Sequence, residues 1–224
     1  MEDAKPATGE ETSSHSGFRD PTTLTKWTRV FLYAGIALAL VSAWEVAGGL
    51  QMGGGEGSQE GLTPGAIVWR FAEIAIGLTT AILVLTWIYR ANHNARQLGA
   101  ADMHFTPGWA VGWYFVPIAW FWKPYQAMRE IWRASVSPSD WRAVPVSTLL
   151  RWWWGLWIVR FGGALEIVGW VANRNLDEAG TETVEVATEL VDWVLEIPLA
   201  LVLLAIVGAV SRMQAAHYRR RSEA

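Results

Sequence analysis

The chain has 224 residues and no cysteine, which excludes disulfides, thiol nucleophiles and Cys-based metal or iron–sulfur sites. Histidine is scarce: His15, His93, His104 and His217 all lie outside the long apolar runs, so no pair is placed where two helices could ligate haem within a membrane. His93 and His104, with Asp102 nearby, lack the i,i+4 spacing of a helical metal box and read as surface loop residues. No phosphate-binding glycine loop or serine nucleophile elbow occurs. The glycine-rich stretch GGLQMGGGEGSQEG (48 to 61) has no basic residue to hold a phosphate and reads as a flexible turn. No catalytic residue, resident metal or cofactor is therefore expected, and no nucleic-acid partner.

Apolar sequence is abundant. Apolar residues make up 52% of the chain and charged residues 17%, and the runs 30 to 50, 71 to 89, 152 to 172 and 197 to 211 are nearly uncharged. A run of about 20 apolar residues matches a hydrocarbon core about 30 Å thick. The mean hydropathy of +0.18 understates this, because sixteen tryptophans and polar ends lower the average. The sequence predicts an all-α membrane protein with a membrane domain over 27–213 and spans near 27–50, 66–89, 150–172 and 190–212. Residues 1–26, rich in Ser, Thr, Pro, Gly and acids, read as a disordered tail, and 214–224 as a basic one. The first apolar run sits too far behind that tail to resemble a cleaved secretory signal, so it is expected to remain as an anchor.

A fifth apolar stretch, 108 to 122, is too short to cross. Fifteen helical residues rise only about 22 Å, Pro117 removes a backbone donor from the middle, and Pro124 closes the stretch. Positive charge gives an independent test, because Lys and Arg gather in cytoplasmic loops. If this stretch turns back, fifteen of the eighteen basic residues are cytoplasmic: Lys5, Arg19, Lys26 and Arg29; Arg90, Arg96, Lys123, Arg129, Arg133, Arg142 and Arg151; Arg212, Arg219, Arg220 and Arg221. If it crosses, that bias collapses. The expected topology is a multi-pass cell-membrane protein with both termini cytoplasmic and 107–135 forming a re-entrant or interfacial helix pair. Trp27, Trp87, Tyr89 and Trp152 to Trp154 then suit the inner aromatic belt, and Trp44, Trp69, Trp170 and Trp193 the outer.

Thr106 before Pro107 predicts a helix start, and Pro124 predicts a second. In the second helix Tyr125, Met128, Ile131 and Trp132 share one face, while Gln126, Arg129, Glu130 and Arg133 share the other, suited to lipid phosphates. From WIYRANHNARQLGA (87 to 100) through FTPGWAVGWYFVPIAWFWKPYQAMREIWRAS (105 to 135) the chain resembles bacterial membrane proteins of the domain of unknown function 4328 family. The resemblance rests on Tyr89-Arg90, Asn94, Gly99-Ala100, Pro107-Gly108-Trp109, Phe115-Val116-Pro117, and Lys123-Pro124-Tyr125-Gln126 with Glu130, Trp132 and Arg133. It departs at Trp120, where relatives tend to carry asparagine, so any ligand of that asparagine is not implied here. The family implies this architecture and no activity. Arg90, Asn94, Trp109, Trp113, Pro117, Lys123, Tyr125, Gln126, Arg129, Glu130 and Arg133 are the candidate partner- or ligand-binding residues.

Charges inside spans form a second candidate group: Glu45, Arg70, Glu73, Arg160, Glu166, Asp192 and Glu196. Glu182, Glu185, Glu189, Asp192 and Glu196 share one helical stripe. Either the outer three are solvated while Asp192 and Glu196 pair with Arg70 and Arg160, or the stripe gathers cations or protons toward Glu196 and Glu73. Ala39, Ala43 and Ala47, and Gly155, Gly162 and Gly169, suit grooves where helices approach closely.

The function expected from these residues is a non-enzymatic binding, sensing or scaffold module. It would act through the aromatic and basic cytoplasmic face on anionic lipid head groups, a membrane-protein partner or a second copy. A small ion- or proton-coupled transporter or channel is the first alternative, and a lipid-modifying enzyme the second. The cysteine-free background makes topology testable: single cysteines at Glu56, Gln126, Asp177 and Ser222, labelled from each face of intact cells, react from outside only at Glu56 and Asp177.

Overall fold

A computed structural model describes residues 17–51 and 64–223, and among these all regular structure is helical. Seven α-helices follow in order: α1 (Thr22–Gln51), α2 (Pro64–Gln97), α3 (Pro107–Gly112), α4 (Lys123–Val136), α5 (Thr148–Phe161), α6 (Ala164–Asn175) and α7 (Glu178–Ser222). Local chemistry accounts for the starts. Thr106 Oγ1 accepts from Trp109 N at 3.3 Å ahead of Pro107, Ser147 accepts from Leu149 N at 3.2 Å, and Asp177 accepts from Gly180 N at 3.0 Å. Both expected starts of the central helices, at Pro107 and beside Pro124, are present.

Four helical stretches are long and apolar enough to cross a bilayer: α1, α2, the α5–α6 pair and α7. Much of the surface they expose is apolar, the reverse of a soluble bundle. On α2, Val68, Phe71, Ile74, Leu78 and Ile82 recur at helical spacing and are all exposed. Four tryptophans assigned to the belts, Trp27, Trp44, Trp152 and Trp170, are exposed as that assignment requires. Trp87 and Trp153 are instead buried in the core, and the Trp87 Nε1 proton is donated to Ser211 Oγ at 3.1 Å.

Helix α7 is the axis of the bundle, with α1, α5, α6 and part of α4 packed on it. At 45 residues it rises about 67 Å, roughly twice the hydrocarbon core. Its buried side chains run only from Leu199 to Gln214, so the principal core lies toward the end that carries both described termini. There Leu32, Trp87, Ile88, Phe105, Met128, Ile131, Leu150 and Trp153 meet Leu203, Ile206, Val207 and Val210.

Several expectations change. Residues 17–26, assigned to a disordered tail, are ordered: α1 begins at Thr22, whose amide and hydroxyl both donate to Asp20 Oδ1. The Thr22 bonds hold the Asp20 carboxyl below its usual range. Residues 1–16 of that tail, and residues 52–61 of the glycine-rich turn, lie outside the described residues. At the other terminus, the expected tail from 214 is the last stretch of α7, anchored where buried Gln214 donates to Ala91 O and Ser135 Oγ, each at 2.9 Å.

The third span, expected as one helix, is broken between α5 and α6. Gly162 closes α5 by donating to Ile158 O at 2.8 Å, and Gly163 turns the chain at φ +84°. A Cβ at Gly162 would lie 2.2 Å from Ile158 O, whereas at Gly155 or Gly169 it would meet nothing within 4 Å. The three glycines therefore do not make one packing groove: Gly162 serves the break. Gly162→Ala should lower the melting temperature in detergent while Gly155→Ala raises it, the latter reflecting about 0.5–1 kcal/mol of helix propensity.

Candidate functional site

The central segment is held at its base by polar groups from two helices. From α2, Asn92 Nδ2 donates to Phe105 O at 3.0 Å, and Arg96 donates to Met103 O at 2.8 Å and Phe105 O at 2.9 Å. From α4, the Glu130 carboxylate accepts from His104 N at 3.3 Å, His104 Nδ1 at 2.7 Å and Phe105 N at 3.2 Å. A carboxylate only accepts, so His104 Nδ1 carries the hydrogen in this contact. The Met103–Phe105 loop is clamped from both sides, and Thr106 then caps α3 on a fixed base.

Beyond α3 the chain makes a 3-10 turn at Trp113–Phe115, reverses through Val116 and Pro117, makes a second turn at Ala119–Phe121 and enters α4. Four backbone bonds close the reversal. Ala119 N donates to Pro117 O, Trp120 N to Val116 O, Phe121 N to Ile118 O and Trp122 N to Ala119 O, at 2.7 to 3.2 Å. Ile118 occupies the left-handed region at φ +67°, a conformation costing a β-branched residue on the order of 1–3 kcal/mol. Phe115 and Ile118 are each 71% exposed at the tip, flanked by exposed Phe121 and Trp122.

Aromatic stacking ties the segment to α5. Tyr125 stacks on Trp154 at 5.9 Å and Trp154 on Trp157 at 4.9 Å, while Trp120 meets Trp157 edge-on at 5.2 Å and Tyr114 meets it at 6.4 Å. Such pairs contribute about 0.5–1.5 kcal/mol each beyond burial. Lys123 Nζ lies 5.4 Å from the Trp113 ring and 5.7 Å from that of Phe105, and Trp113 packs on Trp109 at 5.0 Å.

The candidate binding residues thus separate by role. Arg90 donates to Asp20 O at 3.1 Å, and Asn94 exchanges two hydrogen bonds with the Arg19 backbone, so both staple the chain ahead of α1 onto α2. Glu130 is buried in the clamp, which corrects its placement toward lipid phosphates. Helix α4 as a whole is no surface helix: Ala127, Met128, Ile131 and Ala134 are buried against the bundle. On its other face Arg129 lies over the Tyr125 ring at 5.9 Å, Gln126 is half-buried, and the Arg133 Nε is buried without a hydrogen-bond partner among the described residues. Trp109 and Pro117 are exposed. The sequence does not single out Asn92, and it marks Arg96 only as cytoplasmic charge and His104 only as a surface loop residue. The signal was the four-residue step from Asn92 to Arg96, two polar side chains on one face where an apolar helix meets a loop.

The second candidate group centres on Arg160, which reaches Asp192 at 3.0 Å and Glu196 at 2.9 Å. The expected division of these acids between Arg70 and Arg160 does not occur. Arg70 instead pairs with Glu73 at 3.2 Å, one turn away, and Glu73 also accepts from Ser42 Oγ at 3.0 Å. Arg160, Glu166, Glu185, Glu189 and Asp192 line a groove of about 430 Å³ between α6 and α7. Glu45 is exposed on α1. Among the described residues no three His, Asp or Glu side chains are grouped to hold a metal ion.

The family described as Domain of unknown function (DUF4328) matches residues 65–212, which include α3 to α6 and most of α2 and α7. No curated protein and no solved structure matches the chain.

Glu130→Ala strands three donors of the clamp and should destabilise the protein by about 3 kcal/mol, against less than about 1 kcal/mol for Arg129→Ala. Unfolding by SDS titration in mixed micelles measures both.

Proposed function

This chain belongs to the DUF4328 family, and from that premise we propose that it is a non-enzymatic membrane module that docks a membrane-protein partner through the tip of its central segment. The observation that carries the reading is the contrast between tip and base. Asn92, Arg96 and Glu130 anchor the base, while the tip holds a strained Ile118 outward beside Phe115, Phe121 and Trp122. Backbone strain persists only where surroundings over-determine it, and it clusters at functional positions. Rigid aromatic side chains also make contact area at low entropic loss.

In this reading the segment enters the bilayer from the cytoplasmic side and returns. Trp157, which Trp120 and Tyr114 touch, is the tenth residue of α5, about 13 Å along the helix from its start. That depth supports re-entry over lying flat. The concentration of basic residues at the end with the termini supports placing both termini in the cytoplasm. Cation passage along the acidic groove is the weaker reading, because Arg160 holds both Asp192 and Glu196 and puts positive charge in the path.

A photo-crosslinking residue at Phe115 in native membranes should capture a discrete protein, and Ile118→Gly should reduce that capture while raising thermal stability. Adducts with lipid alone would overturn the proposal.

A further inference from the structure

The end of the bundle that carries both described termini has a groove between α1 and α7, about 780 Å³ in volume and separate from the central segment. Four cations line it: Lys26 and Arg29 from α1, Arg212 and Arg219 from α7. No acidic side chain lines it, and none of the four cations makes an ion pair among the described residues. On α7, Ala215 and Ala216 occupy the wall between the two arginines and leave the space open. The Arg212 guanidinium folds back over Gly208, where a Cβ would lie 3.1 Å from it.

The floor supplies a hydrogen-bond donor. Thr25 and Ser211 hydroxyls lie 2.9 Å apart, and Trp87 Nε1 donates to Ser211 Oγ. One hydroxyl hydrogen is used between the two oxygens, and the Trp87 proton fills an acceptor position. Whichever hydroxyl accepts in that pair keeps its own hydrogen, with no acceptor among the described residues, at the floor of the groove. A site with four positive charges and a spare hydroxyl hydrogen matches phosphate oxygens.

From this chemistry we propose that the α1–α7 groove binds the phosphate head group of an anionic phospholipid. The choice of lipid over a soluble phosphate rests on the groove's other end, where exposed Val30 and Tyr33 continue along α1 and offer an apolar track to an acyl chain. A free phosphate leaves that track uncovered. Basic pockets between membrane helices hold anionic head groups by this combination of charge and apolar contact. The site is independent of the tip proposed to dock a partner, because none of its lining residues belongs to the central segment.

The test uses the full chain in nanodiscs of phosphatidylcholine doped with phosphatidylglycerol or cardiolipin, with native mass spectrometry reading retained lipid. The wild type should retain anionic lipid in preference to phosphatidylcholine. Lys26→Gln with Arg29→Gln, or Arg212→Gln with Arg219→Gln, should each weaken retention by about thirtyfold. Gly208→Leu, which fills the groove without changing charge, should also abolish it, with an unchanged SDS unfolding midpoint showing that the fold survives. Arg151→Gln with Arg220→Gln removes equal charge outside the groove and should leave retention intact. Equal loss in that control would reduce the effect to surface potential and overturn the site. Retention unchanged by the groove variants would do the same. Displacement of the lipid by inorganic phosphate at matched ionic strength would reassign the groove to a soluble anion.

Discussion

A peptide group in hydrocarbon has no water to bond to, so every N–H and C=O at membrane depth needs a partner within the protein. The long helices meet this requirement internally, and where the chain leaves regular helix at the α5–α6 break and at the tip of the central segment, local backbone bonds replace part of the ladder. At the α5–α6 break, Gly162 donates back to Ile158 O and Ile167 donates to Gly163 O, so the ladder resumes after one turn. At the tip of the central segment, four short backbone bonds close the reversal around Pro117, the residue with no donor to satisfy. Tertiary shielding does the remainder, with Trp157 and Trp154 of α5 packed on Trp120, Tyr114 and Tyr125.

The same requirement explains the uneven distribution of polar side chains. Buried polar groups concentrate toward the end with the termini, where Asn92, Asn94, Glu130, Ser135 and Gln214 each bond to backbone or to one another and Ser211 bonds to the Trp87 and Thr25 side chains. The bonds from Trp87 to Ser211 and from Gln214 to Ala91 and Ser135 join separate helices, so they fix register where apolar contacts alone permit sliding. At the opposite end, Arg160 gathers two carboxylates of α7 onto α5, and a Cβ on Gly35 of α1 would lie 3.7 Å from the nearer Glu196 oxygen. A polar clasp therefore sits at each end of an apolar bundle, with α7 common to both.

Function follows this division of labour. Residues such as Arg90 and Asn94, conspicuous in sequence because polar groups stand at the end of an apolar run, serve to bind the chain's own N-terminal segment. The aromatic tip and the four cations of the α1–α7 groove are the surfaces proposed for partners, because the exposed tip side chains and the groove cations are not engaged in holding the bundle together.

Composition and order along the chain determined the all-helical membrane class, the four spans and the two central helix starts. Length against bilayer thickness, proline at first turns and hydroxyl capping are local properties, readable without a fold. Tertiary structure alone decided which polar residue meets which. Glu130 and Arg129 are adjacent and equally amphipathic in pattern, yet one is buried against the His104 loop and the other rests on Tyr125. Asp192 and Glu196 share Arg160 because α5 brings it within 3.0 Å of both, while Arg70 finds Glu73 one turn along its own helix. Periodicity places a side chain on a face; the partner that face meets depends on how helices distant in sequence pack.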